Sequence, residues 1–154
     1  MWTPCHTRGC YLTTLNDTCI DAIVASAKSA PPGKTPLPST VQNVWFMGGA
    51  ISEDFSEDSV AFSREGTDIF WEAVAMWDDP ADDNEFAAWS DAALDALRGE
   101  MRRNGYVNLT ANQGPEWLTG LYGSAEKFQR LIDAKTKWDP QNLLRFNKNI
   151  LPKD

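Results

Sequence analysis

The sequence predicts an α+β fold, an antiparallel β-sheet with helices packed on one face. Short β-branched and aromatic runs fall between residues 41 and 77 and are joined by brief links. Stretches with helical spacing and good capping residues flank them on both sides. The composition, 42% apolar and 23% charged with seven tryptophans, is that of a packed globular chain. At 154 residues there is room for one domain burying roughly 70% of its extended surface. Residues 1–9 read as an N-terminal arm and residues 10–154 as that single domain.

The first helix runs to about Ser29 from a cap at Asn16 or Asp17, because Leu15, Cys19, Ile20, Ile23 and Ala27 recur on one side. Pro31-Pro32-Gly33 ends it, and four prolines between residues 31 and 39 make the connection irregular. Residues 41–47 read as a strand that stops at Gly48-Gly49. Residues 60–62 and 69–77 read as two more, linked through Arg64-Glu65-Gly66-Thr67 as a hairpin is. A long helix is expected over residues 80–103, with Pro80 in its first turn, acids near its start and Arg102-Arg103 near its end. Its apolar stripe is Phe86, Trp89, Ala93, Leu97 and Met101. Residues 105–109 read as a further strand, residues 117–122 as a brief aromatic helix, and Ser124 as the cap of a last helix that Asp139-Pro140 ends.

The net charge of -8 argues against nucleic acid or an anionic membrane as the main partner, since both reward clustered Lys and Arg. Fifteen acids against Arg64 and Arg98 between Glu53 and Glu100, then nine basic residues against five acids to the end, predict internal attraction between the two segments. Cys5, Cys10 and Cys19 are too few and odd in number for a disulfide framework. With His6 they could supply four zinc ligands, but the spacing matches no paired zinc pattern, and no metal is expected. No long apolar run and no cleavage signal are present in the sequence, so a cytoplasmic location is the expectation.

Tyr106-Val107-Asn108, Leu121-Tyr122-Gly123, Phe128-Gln129-Arg130-Leu131, Lys135, the run from Trp138 through Asp139-Pro140-Gln141-Asn142 to Leu144, and Asn147-Lys148-Asn149-Ile150 stand in a specific order. That series resembles the C-terminal signature of the berberine bridge enzyme-like family of FAD-linked oxidoreductases. Gly48-Gly49-Ala50-Ile51-Ser52, Phe62, Arg64, Trp77-Asp78-Asp79-Pro80 and Trp89 resemble its substrate-domain stretch, so the likeness covers about residues 10 to 152. The resemblance implies a sheet whose open face lies over a flavin ring and a substrate whose proton is taken by a side chain.

Carried over residue by residue, the resemblance makes Tyr106 an active-site tyrosine and Asn108 a residue beside the flavin. Ser52 stands where some plant members carry the catalytic base. A serine hydroxyl does not replace a glutamate as base without a partner, so Tyr106 is the better catalytic candidate, with Ser52 kept beside it. Arg64, Trp45, Trp71 and Asn108 are the candidate substrate contacts. Leu109 and Asn112 depart from the family's usual tyrosine and acid.

The family's flavin-holding domain has no counterpart in these residues, and Gly48-Gly49 lacks the spacing of a phosphate loop. The chain alone is therefore expected to bind no cofactor, with FAD entering only if a partner chain supplies it. A homodimer or a flavin-domain protein is expected to cover the exposed sheet face. Two functions fit. One is a free-standing enzyme of secondary metabolism performing a redox-neutral isomerisation, dehydration or cyclisation on a polycyclic or polyene intermediate. The alternative is half of a split oxidoreductase, inactive alone, that completes the active site of a flavin-domain partner.

Overall fold

The computed structural model describes residues 4–32, 40–51, 56–66, 68–146 and 148–153. Four strands, β1 (Cys5–Leu12), β2 (Thr40–Phe46), β3 (Ile69–Met76) and β4 (Met101–Asn104), form an antiparallel sheet in the order β2-β3-β1-β4. Four α-helices accompany it: α1 (Asp17–Lys28), α2 (Asp83–Asp95), α3 (Pro115–Leu121) and α4 (Ala125–Trp138). The α+β class is as the sequence predicts. None of these helices is long and apolar enough to cross a membrane.

Local chemistry sets the helix ends. Asn16 Oδ1 accepts from the Cys19 amide at 2.9 Å to start α1, and Ser124 Oγ accepts from the Lys127 amide at 3.1 Å to start α4. Asp139 closes α4 and holds the chain beyond it: its carboxylate accepts from the Leu143 and Leu144 amides and pairs with Lys135. The Lys135 ammonium holds the Asp139 carboxyl below the usual carboxylate range.

Alternation along the strands sorts residues between two faces. Cys10, Leu12, Trp71, Ala73 and Ala75 point toward α1 and α2 and close a core with Phe86, Trp89, Ala93, Leu94 and Leu97. Trp77 stacks on Phe86 with centroids 5.5 Å apart, and the Trp89 Nε1 donates to Ser26 O at 2.9 Å, locking α2 to α1. A smaller cluster of Trp117, Leu118 and Leu121, with Phe128 against it, joins α3 to α4. Arg130 of the basic segment pairs with Asp58 of the acidic one at 3.2 Å, an instance of the expected attraction.

Four elements differ from the sequence reading. The expected arm is instead the first half of β1, a strand flanked by β3 and β4. Its polar residues disguise it: His6 and Arg8 face α2, where they meet Ser90 and Asp91. Gly9 is needed at its centre, since a Cβ there would stand 2.8 Å from the Phe70 ring and 2.9 Å from the Trp71 carbonyl oxygen.

The expected helix over residues 80–103 ends at Asp95, passes through a short turn around Gly99 and returns as β4. Leu97 is buried and Met101 packs against the same core, so the apolar stripe survives the change of backbone. Residues 105–109 form a turn, with the Leu109 amide bonded to Tyr106 O at 3.1 Å. Residues 60–62 form a bend rather than a strand.

Candidate functional site

The sheet face away from α1 and α2 carries two aligned rows. Tyr11, Phe70 and Trp45 lie across β1, β3 and β2, and Gly9, Glu72 and Asn43 form the next row. The first row floors a cleft of about 370 Å³ that Met47, Ile51, Phe62, Arg64, Tyr106 and Leu109 complete. Its walls are built by ring contacts: Tyr11 to Phe70 at 5.1 Å, Tyr11 to Phe62 at 6.4 Å, and Phe62 edge-on to Tyr106 at 5.2 Å. A concave, largely apolar site with a few polar groups is the general form of a small-molecule pocket.

Trp45, Arg64 and Tyr106, which the sequence singles out, all line this cleft. Arg64 is braced by its Nη1, which donates to Ala50 O at 3.1 Å. Asn108 stands outside the lining and acts through Tyr106: its Nδ2 donates to the Tyr106 Oη at 3.0 Å. A phenol oxygen accepting that bond keeps its own O–H available as a donor.

Trp71 is a correction. It is 0% exposed on the opposite face of the sheet, with its Nε1 donating to Gln42 Oε1 at 3.0 Å, and it does not reach the cleft. Its register beside Cys10 and Val44 decides its face. Ser52 lies outside the described residues.

Glu72 is the group that sequence reasoning missed. It is 3% exposed, and its Oε1 accepts from Asn43 Nδ2 at 2.9 Å and from Trp45 Nε1 at 3.1 Å. Its Oε2 is buried with no hydrogen-bond partner among the described residues. A buried polar atom without a partner costs about 1–3 kcal/mol, so such an atom calls for a reason other than stability. The signal was present: Glu72 is the one charged residue in the run Ile69–Met76.

Burial works against ionisation of two thiols, Cys10 and Cys19, whereas Cys5 is exposed. Desolvation pushes Cys10 up to about 12, with Cys19 nearby adding to the shift, and it raises Cys19 as well. All three cysteines are free thiols, and among the described residues no group of His, Cys, Asp and Glu gathers as metal ligands do.

Fold and cleft together define a substrate-binding α+β domain whose open sheet face carries aromatic side chains and a buried carboxylate. Residues 105–151 match the family described as berberine and berberine like. The "Uncharacterized FAD-linked oxidoreductase YgaK" of Bacillus subtilis is 29% identical over 117 residues, which are 75% of this chain and 25% of that protein. The "FAD-linked oxidoreductase hasG" of Aspergillus fumigatus is 30% identical over 103 residues, 62% of this chain and 21% of that protein.

Berberine bridge enzyme from Eschscholzia californica superposes with a TM-score of 0.74 at 21% identity, covering 98% of this chain and 33% of that one. Wild-type BBE-like 1 of Physcomitrella patens gives 0.75 at 21% identity, covering 99% and 31%. Residues 105–151 belong to the berberine and berberine-like family, and the chain as a whole is similar to the C-terminal region of FAD-linked oxidoreductases. It spans about a quarter of the length of the curated relatives it matches.

The described residues do not fit a flavin dinucleotide. A pyrophosphate is ordinarily held at a helix N-terminus, but each of the four α-helices among the described residues carries an acid in its first turn: Asp17 in α1, Asp83 and Glu85 in α2, Glu116 in α3 and Glu126 in α4. Those carboxylates repel a phosphate.

Proposed function

We propose that this chain forms the substrate-side wall of an FAD-linked oxidoreductase active site and supplies its proton acceptor, Glu72. The observation that carries this reading is the buried Oε2 of Glu72, left without a partner among the described residues on the sheet face that holds the cleft. Trp45 joins the two, since its indole lines the cleft while its Nε1 donates to the Glu72 Oε1. Two N–H groups holding one oxygen fix the carboxylate's orientation, and the other oxygen is the one left to take a proton.

Tyr106 then has the complementary role. With Asn108 donating to its oxygen, its hydroxyl donates a hydrogen bond to a substrate oxygen in the cleft. Proton acceptance, assigned to Tyr106 on the sequence alone, passes to Glu72 in this proposal. Flavin-holding residues belong to a region or partner outside the residues described here, and that same partner, or a second copy of this chain, covers the half-exposed Trp45 and the exposed Phe46.

The test replaces the matching segment of the Bacillus subtilis relative with this chain and follows the oxidation of a panel of aromatic and sugar alcohols. Loss of two hydrogens from a substrate, slowed about 10²- to 10⁴-fold by Glu72→Gln, supports the reading. Undiminished oxidation in Glu72→Gln removes Glu72 as the acceptor.

A second reading has its own support, because the cleft and Glu72 come entirely from this chain and proton transfer needs no flavin. In that reading the chain alone performs a redox-neutral isomerisation, dehydration or cyclisation. Products of unchanged mass, or lighter by one water, from the purified chain favour it over oxidation.

A further inference from the structure

Resting on the open-face cleft as the substrate site, we propose that its ligand is an aromatic or polycyclic anion, a carboxylate or an ionised phenol, held by Arg64. The charge of the lining is one-sided. Among the described residues Arg64 is its cation, and no Asp or Glu lines it. Glu72 shares the sheet face but stays outside the lining, with Trp45 bonded to one of its oxygens.

Shape selects the rest of the ligand. Tyr11, Phe62 and Phe70 make a continuous aromatic surface, and about 370 Å³ suits a ligand of two or three fused rings. An anionic group beside such rings needs a cation and a hydrogen-bond donor at the same place. Arg64 supplies the first and the Tyr106 hydroxyl, oriented by Asn108, the second.

Arg64 need not be free for this. A guanidinium carries five N–H donors in a rigid fork, and the bond to Ala50 O uses one arm to aim the rest. Its other contacts can be shared with an incoming carboxylate or exchanged for it. Apolar surroundings make the pair stronger than an exposed ion pair, because water screens it less.

Isothermal titration of the full chain with naphthalene carboxylate and its neutral isostere, naphthalene carboxamide, tests the inference. Wild type is expected to bind the carboxylate about 10- to 100-fold more tightly than the amide, the range for a charge-assisted hydrogen bond. Arg64→Gln should abolish that preference, so that the two probes bind alike, and Arg64→Lys should keep part of it. A melting curve establishes that each variant is folded. Equal affinity for the two probes in wild type, or a preference that survives in Arg64→Gln, overturns the anion proposal.

Phe62→Ala separates this failure from failure of the cleft itself. If it weakens both probes while the carboxylate holds no advantage, the cleft stands as a binding site and only the anion proposal falls. If neither probe binds wild type, or binding ignores Phe62, both fall together.

Discussion

The two faces of one sheet are made by alternate residues of the same strands, yet they are finished differently. On the face toward α1 and α2, polar side chains are partnered: Gln42 meets Trp71 and Ser26, His6 meets Ser90, and Arg8 meets Asp91. On the other face a carboxylate oxygen is buried without a partner among the described residues, and aromatic rings stand around an open cleft. The first face is arranged for stability and the second leaves bonds to be made. Proteins tolerate such costs where they bind or react.

The contrast is broken most directly by truncating one indole from each face. Trp71→Ala should cost about 3–5 kcal/mol in urea unfolding, the range for emptying an aromatic site in a packed core. Trp45→Ala, with that side chain 49% exposed, should cost about 1 kcal/mol or less while weakening ligand binding. Similar losses from both would mean the faces are energetically alike.

Gly9→Ala comes next, because the new methyl would press on the Phe70 ring and the Trp71 carbonyl from within β1. About 1–3 kcal/mol of stability should be lost, read as a lower melting temperature. Glu72→Gln has a smaller effect on stability, within about 1 kcal/mol and in either direction, since the amide oxygen can still accept from Asn43 and Trp45. A loss well beyond that would make Glu72 part of the scaffold.

The smallest effect is a slope with pH. Burial, and then the Arg8 charge, lower the pKa of His6 against the opposing pull of Asp91. An unfolded chain binds the His6 proton more readily than the folded one, so this contribution to stability is present above pH 6.5 and erodes as pH falls toward the lowered folded-state value. His6→Gln should flatten the pH dependence of urea stability in that window. An unchanged slope would place its origin in the carboxylates.

Much of the helix-covered side was legible in the sequence because its signals are local. Asn16 and Ser124 cap their helices, and Asp139 stops α4, through bonds spanning only a few residues. β2 and β3 declare themselves by β-branched and aromatic content. β1 does not, since its identity depends on partners some eighty positions away in α2, which satisfy His6 and Arg8. Met101 was expected to continue a helix because a strand residue and a helical one can present the same side chain to a core.

In the cleft, Arg64 and Tyr106 were found because the family resemblance points at them, and Trp45 because an aromatic side chain suits a binding surface. The face of each strand residue is set by register, which no single strand reveals. Trp71, one step from Phe70 and Glu72 in the chain, therefore belongs to the other side of the sheet.

Asn108 never enters the cleft, but it decides what the cleft says to a ligand. The bond from its amide nitrogen to the Tyr106 oxygen leaves that hydroxyl pointing outward as a giver of hydrogen. Exchanging one nitrogen for an oxygen, as in Asn108→Asp, would invert the message: the tyrosine would turn its hydrogen back onto the carboxylate and present a lone pair instead. The vocabulary of the pocket is thus written by a residue on its outer wall, where a change in ligand preference can arise without altering a single lining side chain.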